Sequence, residues 1–296
     1  MGNAEDRLKG KLCLVTGGTA GIGFVTARKL AEAGAHIFIV GRDATRGQNA
    51  ADTICTAAGR QTVDFLQADL SDQDEIHRLA TSVMDRHGKL DVLVNNAGSM
   101  FGRRSLSAQG LEMTFALNHL SYFTLTLLLL PALEAAAPAR IVNVASQAHQ
   151  GVELDFDDLQ SEHGYSAWTA YKRSKLANLL FTHELAHRLD WQRITVNALH
   201  PGFVATGIGV RNGFIPGIVW WLAKFAAISV EDGAQTPFYL ASAPEVAGVH
   251  GRYFEKCQPR TTSHAARDRQ SAARLWERSV EITGLEKAAP DRIDNH

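Results

Sequence analysis

The sequence predicts an α/β fold: one doubly wound parallel sheet of about seven strands, with helices on both faces. Three observations carry this. Short β-branched and apolar runs alternate with longer helical stretches along the 296 residues, the order expected of right-handed crossovers. Most of the short runs are almost continuously apolar, as in strands covered on both faces. The first run leads at once into a glycine-rich turn that opens a helix.

The candidate strands are LCLVT (12–16), HIFIV (36–40), TVDFLQA (62–68), DVLVNNA (91–97), RIVNVAS (140–146), ITVNALH (194–200) and GRYFE (251–255). Helices are predicted near 21–33, 44–58, 72–88, 105–136, 169–190 and 231–242. A further amphipathic helix, SAARLWERSVEITGL, lies in a C-terminal extension near 261–285. Ser71 is placed to cap the helix beginning DQDEI, with acids in its first turn. Gly88 suits a left-handed stop after MDRH, and Ser229 suits a cap before VEDGAQ. No repeat or linker divides the chain, so residues 1–296 are expected to form one domain.

Net charge is −1, so no bulk field recruits nucleic acid or an anionic membrane. Cys13, Cys55 and Cys257 are far apart and make neither CxxC nor a zinc-like cluster; reduced thiols and no metal are expected. The opening MGNAEDRLKGK lacks the apolar core of a signal peptide. LTLLLLPALEAAA is too short and too soon charged for a membrane span. A soluble cytoplasmic protein is the expectation.

The turn TGGTAGIG runs from Thr16 to Gly23. Its glycines let backbone N–H groups approach a pyrophosphate, and the helix N-terminus adds partial positive charge. The second strand ends FIVGRD, with Gly41 where an acid would hold the ribose 2′-OH of NAD. Arg42 follows, and a guanidinium is shaped to hold the 2′-phosphate of NADP. Asp43 is equally suited to capping the next helix. Asp69, in the ADLS loop, is a candidate acceptor for the adenine amino group.

In SAWTAYKRSKLAN, Tyr171 and Lys175 are four residues apart and share a helical face. A phenol is a poor base at neutral pH. A cation about 5 Å away, at an effective dielectric of about 20, contributes roughly 3 kcal/mol, about two pKa units downward. Around this pair stand NNAG (95–98), Asn118, Ser146, Pro201, Gly202 and Thr206, at or facing strand C-termini, where such a sheet places its ligand crevice.

In this order, TGxxxGIG, NNAG, Asn, Ser, YxxxK and PG resemble the short-chain dehydrogenase/reductases over nearly the whole chain. AYKRSKLANLLFTHELAHRL, TVNALHPGFVAT and DFDDLQ are most similar to the retinol-dehydrogenase-like branch. The resemblance implies a Rossmann-type sheet and NADP(H)-dependent hydride transfer between nicotinamide and a lipophilic alcohol, aldehyde or ketone. It implies that Tyr171 moves the proton, Lys175 tunes it and bonds the nicotinamide ribose, Ser146 holds the substrate oxygen, and Asn118 supports a proton path. Gly17, Gly21 and Gly23 would pass under the pyrophosphate, Asp69 and Asn95 would flank adenosine, and Thr206 would meet the nicotinamide amide. Thr19, Ile22, Leu70, Ala97, Gly98, Pro201 and Gly202 complete the implied cofactor-binding set. A nucleotide-binding sensor with little turnover, and a polyketide- or steroid-type ketoreductase, are the alternatives. Membrane-bound retinol dehydrogenases begin with an apolar anchor, whereas this sequence starts close to its first strand; no span is expected, only peripheral contact.

The segment 203–230 is rich in glycine and in large apolar residues, Trp220 and Trp221 among them. It is a candidate lid over a hydrophobic substrate, or a contact with lipid or another subunit. In the Tyr171 helix, Leu176, Leu179 and Leu180 lie together, while Phe181 and Leu185 point nearly opposite. One side must meet the sheet; the other is open to a neighbouring helix or to a second copy in a homo-oligomer. His119, His149 and His200, near motif positions, are read as structural.

Overall fold

The computed structural model describes residues 7–203 and 228–292. Eight strands form one sheet in the order β3-β2-β1-β4-β5-β6-β7-β8. They are β1 (Leu12–Thr16), β2 (His36–Gly41), β3 (Val63–Gln67), β4 (Val92–Asn95), β5 (Ala139–Val144), β6 (Ile194–His200), β7 (Tyr253–Glu255) and β8 (Gln258–Arg260). All neighbours pair in parallel except β7 and β8, which form an antiparallel hairpin. The order reverses between β1 and β4, the doubly wound arrangement, and the predicted seven strands are all present. The eighth was not expected. Gln258, Pro259 and Arg260 are polar or imino and exposed, so β8 carries none of the apolar signal of a covered strand and stands at the edge, where proline is tolerated.

The central strands are apolar throughout because each feeds two cores. Leu12 and Leu14 of β1 pack on one face with Phe38, Leu93, Ile141 and Val196. Cys13 and Val15 pack on the other with Ile37, Ile39, Val92 and Val94. The helices are α1 (Gly21–Glu32), α2 (Ala44–Ala58), α3 (Gln73–His87), α4 (Met113–Ala135), α5 (Ala167–Ala186), α6 (Val230–Gly233), α7 (Gln235–Ser242) and α8 (Arg269–Thr283). Asp43 caps α2 by accepting from the Arg46 N–H, and Ser229 caps α6. Gly88 ends α3 in the left-handed region. The cap of α3 is Asp72, not Ser71: the Asp72 carboxylate accepts from the N–H groups of Asp74 and Glu75, while the Ser71 hydroxyl donates to Asp69.

The long apolar helix begins later than expected. Residues 105–112 form a tight excursion closed by a Leu106–Glu112 bridge, and the Glu112 carboxylate accepts from the N–H groups of Thr114 and Phe115 to start α4. A π-helical turn spans Ala116–Leu120. By length and composition α4 is apolar enough to cross a bilayer, yet most of it is buried in the protein.

The open side of α5 is taken by the chain itself. Helix α8 packs along it, with Trp276 stacked on Phe181 (ring centroids 6.2 Å) and edge-on to Phe123 (5.1 Å). The Arg188 guanidinium lies 4.3 Å from the Trp276 ring centroid. His119 reaches Ser279 of α8 at 2.9 Å. Glu184, at the end of α5, bonds both Arg188 and Arg292, tying down the C-terminal strand of chain.

Trp276 is 4% exposed. Trp276→Ala is expected to cost about 3–5 kcal/mol, measured as a fall in the denaturant midpoint at constant slope. A loss below about 1 kcal/mol would show that α8 is not part of the cooperative core.

Candidate active site

The glycine turn joins β1 to α1. Gly17 and Gly21 have φ of 65° and 58°, a region open to glycine and strained for other residues. A Cβ at Gly17 would stand 3.0 Å from the Ala97 Cα and the Asn96 Nδ2, and one at Gly23 would overlap Asn96 and the Gly17 carbonyl. The turn is thus packed against the end of β4. Helix α1 has Ala20 at its N-cap, with no side-chain cap and no acid in its first turn. Its leading N–H groups are therefore left for an anion, which fits a dinucleotide pyrophosphate. Thr19 and Ile22 are part of the same half-buried turn.

A Cβ at Gly41 would collide with the Thr19 side chain, so the end of β2 lies against the glycine turn. Arg42, next along, is exposed and forms no ion pair among the described residues. Asp69 accepts from the N–H and hydroxyl of Ser71 through one oxygen, and Leu70 is buried beside it.

The two asparagines of NNAG divide the work. Asn95 is fully buried, donating to Thr126 Oγ1 and Asn143 Oδ1, each at 2.9 Å; its side chain belongs to the core. Asn96 is the one that meets the turn, donating to the Thr16 carbonyl at 2.8 Å. Thr16 Oγ1 accepts from the N–H groups of Asn96 and Ala97. Asn95 is the residue expected to flank adenosine, whereas Asn96 and Thr16, given no role by the motifs, are the pair that joins β4 to the turn. Only the position of the second Asn, one residue past the end of β4, distinguishes them.

Gly98 leads into the candidate catalytic group. A Cβ there would lie 3.3 Å from Asn118 Oδ1 and 3.4 Å from Lys175 Nζ. Asn118, in the π-turn, accepts from the Ser99 N–H at 2.8 Å and donates to Ser99 O and to Ser174 Oγ. Ser174 in turn donates to the Tyr171 carbonyl. π-turns often mark functional positions, and here the widened turn carries Asn118. Ser146 follows β5, accepting from the Ala148 N–H. His149 holds that loop from below through the Ser146 carbonyl, at 2.7 Å, and accepts from the Ser263 N–H. His119 is buried among phenylalanines, and burial drives its pKa down to about 3. His200, also buried, has its pKa lowered first by burial.

Lys175 is 4% exposed and donates to the Val144 carbonyl at 3.0 Å. Its Nζ lies 5.8 Å from the ring centroids of both Tyr171 and Tyr122. Burial brings the Lys175 pKa down to about 8. The Tyr171 phenol moves up, not down as expected: burial raises it, and the Ser146 hydroxyl offsets part of that. The simple Coulomb expectation gave the pair a partly aqueous surrounding. Here desolvation penalises the phenolate and the ammonium alike.

Trp168 is a contributor that the sequence reading did not select. It sits three residues before Tyr171, stacks on its ring with centroids 5.9 Å apart, and remains 50% exposed. The i, i+3 spacing was the available signal. Pro201 and Gly202 follow β6, with Gly202 at φ 94°. The Ile228 N–H donates to the Phe203 carbonyl at 2.9 Å. Thr206 and most of the candidate lid, Trp220 and Trp221 included, lie outside the described residues.

Residues 11–212 match the family model described as short chain dehydrogenase. Retinol dehydrogenase 12 of Mus musculus is 40% identical, spanning 95% of this chain and 88% of that protein. Retinol dehydrogenase 14 of Homo sapiens is 39% identical, again over 95% and 88%. Among solved structures, an uncharacterized protein from Mycobacterium Paratuberculosis superposes with a TM-score of 0.75 at 32% identity, over 94% of each chain. Pseudomonas aeruginosa RhlG, solved as an NADP active-site complex, gives 0.66 at 30% identity over 85% of this chain and 96% of that one. The matched span begins at the first strand and takes in the glycine turn, Ser146, Tyr171 and Lys175; the chain belongs to the short-chain dehydrogenases and is an oxidoreductase of that family resembling the retinol dehydrogenases.

Proposed function

We propose that the protein is an NADP(H)-dependent oxidoreductase acting on a lipophilic alcohol, aldehyde or ketone, with Tyr171 as the proton carrier. The grouping of Tyr171 with Ser146 on one side and with Lys175, its Nζ 5.8 Å from the ring centroid, on the other is the observation that carries this reading. The name of the retinol dehydrogenases it resembles supports a lipophilic substrate, and the NADP complex of RhlG supports the cofactor. Bound nicotinamide supplies or accepts the hydride. The uncapped start of α1, with Gly17, Gly21 and Gly23, would hold the pyrophosphate, and Arg42 the 2′-phosphate.

The protein's own groups manage the substrate oxygen. Ser146 donates a hydrogen bond to it. In carbonyl reduction, Tyr171 passes its phenolic proton to the same oxygen, giving the alcohol and leaving a phenolate. The Lys175 ammonium stabilises that phenolate and would bond the nicotinamide ribose. Asn118 acts as a positioning residue, holding Ser99 and, through Ser174, the Tyr171 turn of α5. Trp168 walls the Tyr171 ring with an apolar surface suited to a lipophilic substrate.

The raised phenol keeps its proton at neutral pH, which favours reduction. Lys175 is cationic below about 8 and neutral above it. The kcat/KM for carbonyl reduction is therefore expected to hold through neutrality and fall above about pH 8, while alcohol oxidation, which needs the phenolate, should gain as pH rises. A reduction profile still climbing at pH 9 would contradict this assignment of Lys175.

Tyr171→Phe should remove nearly all turnover on a panel of aldehydes, ketones and alcohols, yet leave NADPH titration almost unchanged. Lys175→Met should damage both. NADPH binding by the wild type with no turnover anywhere on the panel would favour a sensor instead.

Arg42→Ala should weaken NADPH binding by about 1.5–3 kcal/mol, as for loss of a charge-assisted contact, with little change for NADH. Equal losses for the two cofactors would remove Arg42 from 2′-phosphate recognition.

A further inference from the structure

A second concave site lies away from the strand C-termini. It is a groove of about 570 Å³ between the C-terminal end of α5, the β7–β8 hairpin and the start of α8. His183, on its wall, is twelve residues beyond Tyr171 on the same helix, which places it about 18 Å from the proton carrier.

The groove is lined by Arg252, Arg260, Arg267 and Arg269. All four are exposed, and none makes an ion pair among the described residues. Among the described residues, the Arg267 guanidinium donates to the Ser263 carbonyl alone, at 3.5 Å. Two carboxylates also line the groove, and both are committed elsewhere. Asp268 caps α8 through Gln270 and Ser271, and Glu184 is held by Arg188 and Arg292.

Two of these cations, Arg252 and Arg267, act on His183 in the groove wall. Burial lowers the pKa of His183, a bond to the Ala266 carbonyl acts the other way, and the charges of His187, Arg252 and Arg267 press it down again. An imidazole pressed by several positive neighbours marks a local excess of positive charge. A neutral donor stands with them: Tyr253 lines the groove, is 5% exposed, and its hydroxyl has no hydrogen-bond partner among the described residues. Burial, then the charge of Glu255, raises the pKa of this phenol, so it remains protonated and able to donate.

Unpaired guanidiniums around a concave surface with a buried O–H donor suit a phosphate ester, which takes bidentate bonds from arginine. The volume exceeds the need of orthophosphate alone and falls within the range of small-molecule sites. We propose that this groove is a binding site for a phosphorylated molecule, distinct from the dinucleotide cleft. The phosphate could be carried by a soluble metabolite or by a lipid headgroup, and the chemistry of recognition is the same for both.

The test uses the full chain carrying one equivalent of NADPH, so that the nucleotide cleft is filled. Pyrophosphate is titrated by calorimetry. In parallel, flotation is measured with phosphatidylcholine vesicles with and without phosphatidic acid. R252A/R267A is compared with R252K/R267K, which keeps the charge but not the fork. The alanine variant is expected to lose about tenfold or more of the wild-type affinity and the lysine variant less, with circular dichroism and turnover retained in both. Pyrophosphate binding without flotation identifies a soluble ligand. Flotation that needs phosphatidic acid, is lost in the alanine variant and is competed by pyrophosphate identifies a headgroup. Absence of both, or wild-type affinity in R252A/R267A, overturns the proposal. Because the two arginines are exposed and far from Tyr171, failure here leaves the redox assignment intact; loss of turnover in Tyr171→Phe does not bear on the groove.

Discussion

The candidate active site depends on how the chain closes the seam between β1 and β4, where the strand order reverses. Two parallel strands leave this seam with their hydrogen-bonding ladder ended, and the backbone beyond must still be satisfied. One hydroxyl does this. Thr16 Oγ1 accepts from Asn96 and Ala97 and lies 3.3 Å from the Val94 carbonyl. Asn96 completes the closure by bonding back to Thr16. Once the two strand ends are pinned, Gly17 lies against Ala97 and the Asn96 side chain, Gly23 against the same Asn96 amide and the Gly17 carbonyl, and Gly98 is delivered to Lys175. The uncapped start of α1 and the candidate catalytic group are thereby held in one rigid relation.

Beneath the seam lies a buried polar ladder. Asn95 bonds Thr126 and Asn143, and Asn143 donates to Thr182. It links β4 to β5 and ties each strand to a helix of the same layer, α4 and α5. Burying such groups is costly unless they are paired. Their pairing is also directional, which apolar contact is not. Leu or Val at these places would fill the space, but would not fix the register of α4 and α5 against the sheet. That register decides where Asn118 and Tyr171 stand.

Much of this was legible in the sequence. Strands 12–16 and 194–200 and helix 44–58 fall where the pattern put them, because a buried strand has an apolar signal and helix ends have caps. The family motifs led to Gly17, Gly98, Asn118, Ser146, Tyr171 and Lys175, and the fold does gather these. What was not legible depends on surroundings. Ser71 and Asp72 are both good caps, and only the backbone geometry chooses between them. The Glu112 bridge that delays α4 needs a partner six residues back. The division of labour between Asn95 and Asn96 follows from which of them leaves the sheet. The direction of the Tyr171 shift follows from how deeply the helix is buried, which no i, i+4 spacing encodes.

The docking of α8 on α5 has a thermodynamic consequence. The outer side of the Tyr171 helix presents Phe181, which with Phe123 of the neighbouring α4 makes a large aromatic surface under Trp276. Such a surface must be covered, and a second copy of the chain could cover it only by association. Here the cover is covalently attached. The order of the Tyr171 helix is therefore set by a unimolecular equilibrium, independent of protein concentration, and dilution does not loosen it. Any assembly of this protein through the same side would first have to displace its own C-terminal helix.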